Sequence, residues 1–220
     1  MLKCMVFDMD GTLLDTERLA VQFWLDMAKE HGVDLPLEFV VGCCGRPRGD
    51  IVERYREHYP TLPVEEAMEN RDQWWLEQTA KGLIHTKPGA VEVLSYLKER
   101  GLAVVIATST PYARAVTELT ELGLFPYLDG IVSGDMVAPG RGKPAPDIFL
   151  MAMEKMGYPP EECMVVEDSV SGCQGGIDSG AKTVMIPDQR QPEQDLREKL
   201  YRCLDSLHDL IPVVEELLGK

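Results

Sequence analysis

Five short apolar runs constrain this chain more than any other feature: LKCMVF (2–7), LAVVIAT (102–108), GIVSG (130–134), CMVV (163–166) and KTVMI (182–186). None alternates apolar with polar, so none has a face meant for water, and runs of this length read as strands buried on both sides of a parallel sheet. The stretches between them carry helical patterns with legible ends. Pro88 and Gly101 bracket one around AVEVLSYLKER, Pro111 and Gly123 the next, and Pro146 and Gly157 a third, with proline at the start and glycine just past the end. From about residue 88 onward strand and helix alternate, which predicts a doubly wound, Rossmann-like α/β sheet.

Residues 16–84 interrupt that alternation. Ala20, Phe23, Trp24, Met27, Ala28 and His31 fall on one face of an amphipathic helix, and DIVERYREHY and VEEAMENRDQWWLEQTA read as further helices. A chain of 220 residues with 45% hydrophobic content can bury one large core and still carry an insert. The expected organisation is an α/β core formed by 1–15 and 85–220, with an inserted α-helical cap over 16–84. Hinges are expected near Leu14–Thr16 and His85–Pro88, and the Trp74-Trp75 pair is expected to pack the core of the cap.

Twenty-two Lys and Arg face 37 Asp and Glu, a formal net charge of -15, which argues against nucleic acid or an anionic membrane as a partner. An anionic substrate has to be drawn in locally, by a metal or a few basic side chains. The six cysteines form no C-x-x-C pair and read as reduced thiols. The four histidines are scattered without metal-ligand spacing. The residues before Asp8 are too few for the apolar region of a secretory leader, and no apolar run approaches a membrane span, so a cytoplasmic location is expected.

Ligands of open α/β sheets sit at the carboxyl ends of the strands, and here those ends are unusually polar. Asp8 and Asp10 follow the first run, Thr108 and Ser109 the second, and Glu167 and Asp168 the fourth, while Lys143 lies in the GRGKPAPDIF loop after the third. The i, i+2 spacing of Asp8 and Asp10 aims both carboxylates to one side while the chain is extended. Gly11 and Thr12 then permit a turn. Carboxylates this close stay ionised together only beside a cation, and hard oxygen donors suit Mg²⁺. Thr108 to Thr110 supply hydroxyls and N–H groups before a helix, where Thr110 is also expected to act as its cap. Lys143 is not part of a Walker A loop, because Val137 stands where that loop needs glycine and Pro144 where it needs Ser or Thr.

VFDMDGTLLDTE, ATSTPYARA, GKPAPDIF and VVEDSVSG together resemble the four motifs of the haloacid dehalogenase superfamily, and their order and spacing resemble its β-phosphoglucomutase-like branch. The resemblance implies a Mg²⁺-dependent phosphatase acting on a small phosphorylated metabolite, as a monomer or weak dimer. Asp8 would be the nucleophile that forms an aspartyl-phosphate, and Asp10 the general acid and then base. Mg²⁺ would be held by Asp8, the carbonyl of Asp10 and Asp168, with Glu167 helping directly or through water. Thr108, Ser109 and Lys143 would hold the phosphoryl oxygens. In the cap, Arg46 and Arg48 of GCCGRPRGD are candidates for a distal anion of the substrate, and Arg71 is a further one. The rival reading is a sugar-phosphate mutase. In the β-phosphoglucomutases a cap histidine gates transfer to sugar, and here Ala20 stands in its place, although Thr16 and Trp24 match. A dehalogenase would need neither Asp10 as acid nor the Glu167–Asp168 pair, and a non-catalytic binding protein would be expected to lack a motif residue.

Overall fold

The structure is a computed structural model that describes residues 1–44 and 48–219. Among them no helix is long and apolar enough to cross a membrane. The chain opens with β1 (Cys4–Phe7) and passes at once into four helices, α1 (Glu17–Glu30), α2 (Leu37–Val41), α3 (Arg48–His58) and α4 (Val64–Ala80). It then alternates α5 (Ala90–Glu99), β2 (Ala103–Thr108), α6 (Tyr112–Glu121), β3 (Gly130–Ser133), α7 (Asp147–Met156), β4 (Cys163–Glu167), α8 (Val170–Asp178) and β5 (Lys182–Met185). A short α9 (Gln194–Arg197), a two-residue β6 (Arg202–Cys203) and α10 (Leu210–Leu218) complete it.

All neighbouring strands pair in parallel, in the order β3-β2-β1-β4-β5-β6. The five apolar runs supply five of these strands. β6 escapes a sequence reading because two residues, one of them an exposed arginine, make no apolar run. Burial on both faces explains why the runs do not alternate. Met5 and Phe7 of β1 join a core with Val93 and Leu97 of α5, Leu119 of α6 and Val213 of α10, while Cys4 and Val6 face Phe149 and Met153 of α7. β1 is central, and Phe7 lies level with Ile106 of β2 and Val166 of β4. The residue after Phe7 therefore emerges beside the ends of both neighbours.

The helices α1 to α4 build a cluster of their own from Trp24, Met27, Val40, Ile51, Tyr55 and Met68. Trp24 stacks on Tyr55 with ring centroids 4.4 Å apart. His31 falls off the predicted apolar face: α1 ends before it and its side chain is exposed. Trp75 also departs from expectation. It is buried with Leu14, Leu19 and the sheet-facing core rather than inside the helical cluster, because α4 packs on α6. The two chain crossings between helices and sheet run side by side, with Asp15 N–H donating to His85 O at 2.8 Å and Lys87 N–H to Leu13 O at 2.8 Å. Lys87 Nζ reaches Asp188 Oδ1 at 2.6 Å and so ties this crossing to the loop after β5.

Candidate active site

The parallel register gathers the charged strand ends under the helical insert. Asp8 leaves β1 with its N–H bonded to Val166 O at 2.9 Å. Its carboxylate accepts from Lys143 Nζ, which also donates to Glu167 Oε1 at 2.7 Å and to Ala107 O at 3.0 Å. The Lys143 side chain is only 7% exposed, so the loop lysine that a sequence would leave in water is an interior charge. Glu167 Oε2 accepts from the N–H groups of Asp168 and Ser169, each at 3.0 Å, and from Ser169 Oγ at 2.9 Å. Asp168 Oδ1 accepts from Thr12 Oγ1 at 3.1 Å.

Two glycines make this packing possible. Gly11 adopts φ +82°, and a Cβ there would stand 2.4 Å from Asp168 Oδ2. A Cβ on Gly172 would fall 1.7 Å from Glu167 Oε1. The glycine-rich α8 is thus a poor helix by propensity, placed where a side chain would displace a carboxylate.

The electrostatics of the cluster leave it short of positive charge. Burial pushes the Asp8 carboxyl well above its usual range despite the pull of Lys143, with Glu167 adding to the rise. Asp168 is pushed up in the same way by burial, then by Glu167 and Asp8. Burial works against the Lys143 ammonium, but Asp8 and Glu167 outweigh it and raise its pKa. Asp8 and Glu167 share one ammonium and Asp168 adds a third carboxylate, and each of the three offers an oxygen within 4.8 Å of the others. A buried, all-oxygen set with uncompensated negative charge fits a hard divalent cation such as Mg²⁺.

Asp10 belongs to a different network. Its Oδ2 accepts from Thr110 Oγ1 at 2.6 Å and its Oδ1 from Arg114 Nη2 at 3.1 Å. Thr110 therefore does not cap α6 with its side chain, as the sequence suggested; the hydroxyl is spent on Asp10. Arg114 also donates from Nε to Glu118 Oε1 at 2.9 Å, and its guanidinium lies 4.8 Å from the centroid of Trp75. Arg114 and Glu118 occupy the same buried stripe of α6 as Ala115 and Leu119. An i, i+4 charged pair on an apolar stripe is the trace this network leaves in the sequence.

A cavity of 410 Å³ opens above these groups, and Asp8, Asp10, Thr108, Ser109, Lys143, Glu167 and Asp168 all line it. Thr108 is buried and its Oγ1 accepts from Thr110 N–H at 3.1 Å, whereas Ser109 is exposed at the rim. The helical side contributes Ala20, Trp24, Val40, Ile51, Met68 and Trp75, with Thr16, Glu17 and Arg71 as polar members. Burial pushes the Glu17 carboxyl up, an effect no motif announced. Arg46 lies outside the described residues, as does the side chain of Arg48.

Residues 2–180 match the family profile described as haloacid dehalogenase-like hydrolase. The chain is 30% identical over 186 residues to the phosphorylated carbohydrates phosphatase of Thermotoga maritima, across 83% of this chain and 84% of that one. It is 30% identical over 186 residues to hexitol phosphatase A of Escherichia coli, across 84% and 82% of the two chains. Among solved structures, CbbY from Rhodobacter sphaeroides in complex with phosphate superposes with a TM-score of 0.78 at 26% identity, covering 96% of each chain.

Proposed function

This chain belongs to the haloacid dehalogenase-like hydrolases, and from that premise we propose that it is a Mg²⁺-dependent phosphatase of a small phosphorylated metabolite, a sugar phosphate or similar, working through an aspartyl-phosphate on Asp8. The observation that carries this reading is the buried Asp8–Glu167–Asp168 cluster with Lys143 at its base, set beneath a cavity large enough for a compact ester.

An Asp8 oxygen attacks phosphorus, the phosphorus–alkoxide bond breaks, and the alkoxide takes a proton from Asp10. Water then gives a proton to Asp10 while its oxygen attacks the phosphoryl group, freeing phosphate and restoring Asp8. Asp8, the main-chain carbonyl of Asp10 and Asp168 would hold Mg²⁺, with Glu167 close by, and the ion when bound supplies positive charge against the carboxylates and the phosphoryl oxygens. Lys143, fixed by Glu167 and the Ala107 carbonyl, offsets charge beside Asp8 without reorganising. Thr108 and Ser109 contribute donors for the remaining phosphoryl oxygens, and Arg114 with Thr110 keeps the Asp10 carboxyl on the cavity wall. The helices over 16–84 act as the cap that covers the site, and Arg46, Arg48 and Arg71 are the basic groups available to a distal anion of the substrate.

The mutase reading is disfavoured by Ala20, which lines the cavity on α1 and has no group able to relay a proton to a sugar hydroxyl. Release of phosphate from 4-nitrophenyl phosphate tests the proposal: it should require Mg²⁺, stop with a chelator, and vanish in Asp8→Asn. Turnover that survives Asp8→Asn would defeat it.

A further inference from the structure

Arg114 and Glu118 form an ion pair where the fold alone calls for none. Both lie on the buried stripe of α6 with Ala115 and Leu119; the Arg114 side chain is 7% exposed and that of Glu118 not at all. Taking two charges out of water offsets much of their attraction, and apolar residues of similar size often stabilise a core as well. The pair is therefore explained better by what else it touches than by stability.

What it touches is Asp10. Arg114 donates from Nε to Glu118 Oε1 at 2.9 Å and from Nη2 to Asp10 Oδ1 at 3.1 Å, so one rigid, planar fork serves both carboxylates. Thr110 Oγ1, just before α6, donates to the other Asp10 oxygen at 2.6 Å. Both oxygens of this carboxyl are thus held from the start of α6. The guanidinium in turn lies 4.8 Å from the ring centroid of Trp75 on α4, which packs on α6. Arg71, on α4 itself, lies 5.9 Å from the same ring. A chain of contacts therefore runs from Asp10 through Arg114 to Trp75, out of the α/β core and into the helical insert.

Resting on the phosphatase reading above, we propose that Arg114 is a positioning residue for the proton transfers at Asp10, and that Trp75, by covering the guanidinium, ties those transfers to the seating of the helical insert. Glu118 and Trp75 fix the plane of the guanidinium, and the guanidinium fixes the Asp10 carboxyl. When an alkyl ester gives its phosphoryl group to Asp8, the phosphorus–oxygen bond breaks, the leaving oxygen keeps the electron pair, and it takes the proton from Asp10. A leaving group that departs as a stable anion does not need that proton. A well-placed general acid is worth about 10²–10⁴-fold, so loss of Arg114 or Trp75 falls hardest on alkyl esters.

The test measures kcat/KM with Mg²⁺ for 4-nitrobenzyl phosphate and 4-nitrophenyl phosphate, esters of similar size that release an alkoxide and a stabilised phenolate. Asp10→Asn should lower the benzyl-to-phenyl ratio by about 10²-fold or more. Arg114→Lys keeps a cation for Glu118 but has no fork to span both carboxylates, and should lower the ratio by about tenfold or more. Arg114→Met combined with Glu118→Leu removes both buried charges together, which protects the fold, and should have the same effect. Trp75→Leu should lower the ratio by about threefold or more, and Trp75→Phe, which keeps a ring over the guanidinium, should retain most of it. Arg114 variants that lose activity on both esters alike, with the ratio at its wild-type value, overturn the proposal, because Arg114 would then only pack. A wild-type ratio in Trp75→Leu overturns the link to the helical insert. Failure of the phosphatase reading is distinct from both, since the wild type would then turn over neither ester.

Discussion

The two walls of the cavity are built on opposite plans. On the sheet side each carboxylate is engaged: Asp8 by Lys143, Glu167 by Lys143 and three donors from 168 and 169, Asp168 by Thr12, and Asp10 by Thr110 and Arg114. On the helical side the surface is mostly apolar, and its buried polar atoms include two without partners. The sheet wall is held by ion pairs and hydrogen bonds within the protein, the arrangement that the proposed electrostatic catalysis requires, while the helical wall is mostly apolar. On the proposed function, chemistry belongs to the sheet wall and the helical wall bounds the space the substrate occupies.

The largest effect expected from breaking this division comes from Lys143→Met. It leaves Asp8 and Glu167 buried without their shared counter-charge, which should lower stability by about 3–5 kcal/mol in urea unfolding. It should also lower kcat/KM by about 10²–10³-fold. Mg²⁺ should next reveal the charge deficit of the sheet wall. Asp8 and Asp168 have folded pKa values above their unfolded ones, so between those values the folded chain binds more protons than the unfolded chain. Their contribution is therefore full below the unfolded value and lost as pH rises through the folded values. Thermal melts should show Mg²⁺ stabilising more at pH 8 than at pH 5, the gain at pH 8 being about 2.7 kcal/mol when it is present at about 100 times its Kd at that pH.

Gly172→Ala tests the packing of the same wall with no change of charge. A methyl group 1.7 Å from Glu167 Oε1 must move the carboxylate or α8, at a cost of about 1–3 kcal/mol in urea titration and with loss of activity. The smallest effect should come from inside the helical cluster. Tyr55 is fully buried, stacked on Trp24, and its hydroxyl has no partner. Tyr55→Phe should leave stability unchanged or raise it by up to about 1 kcal/mol, with kcat unaltered. A large loss of kcat in this variant would mean that the helical interior also takes part in the chemistry.

The sheet wall was the more legible of the two in the sequence. Apolar runs that end in Asp, Thr or Glu announce both a parallel strand and its functional end, so Asp8, Thr108, Glu167 and Asp168 could be named before any coordinates. Lys143 was nameable by its loop, but its burial was not, since that depends on Glu167 and the Ala107 carbonyl coming from separate strands. The Asp10 network was hidden for the same reason: Thr110 and Arg114 lie 100 and 104 residues away from it. Trp75 was misread because helical periodicity reports that a residue is buried and not which neighbour buries it. Its place was decided by α4 packing on α6, a tertiary contact with no local trace.

The covalent step on Asp8 can be tested directly. Asp10→Asn, which lacks the base for the second step, is mixed with 4-nitrophenyl phosphate and Mg²⁺, quenched in acid and digested for mass spectrometry. The account predicts one added phosphoryl group on the peptide that carries Asp8, absent when Asp8→Asn is combined with it. Stoichiometric release of 4-nitrophenol with no phosphoryl group on that peptide would contradict it.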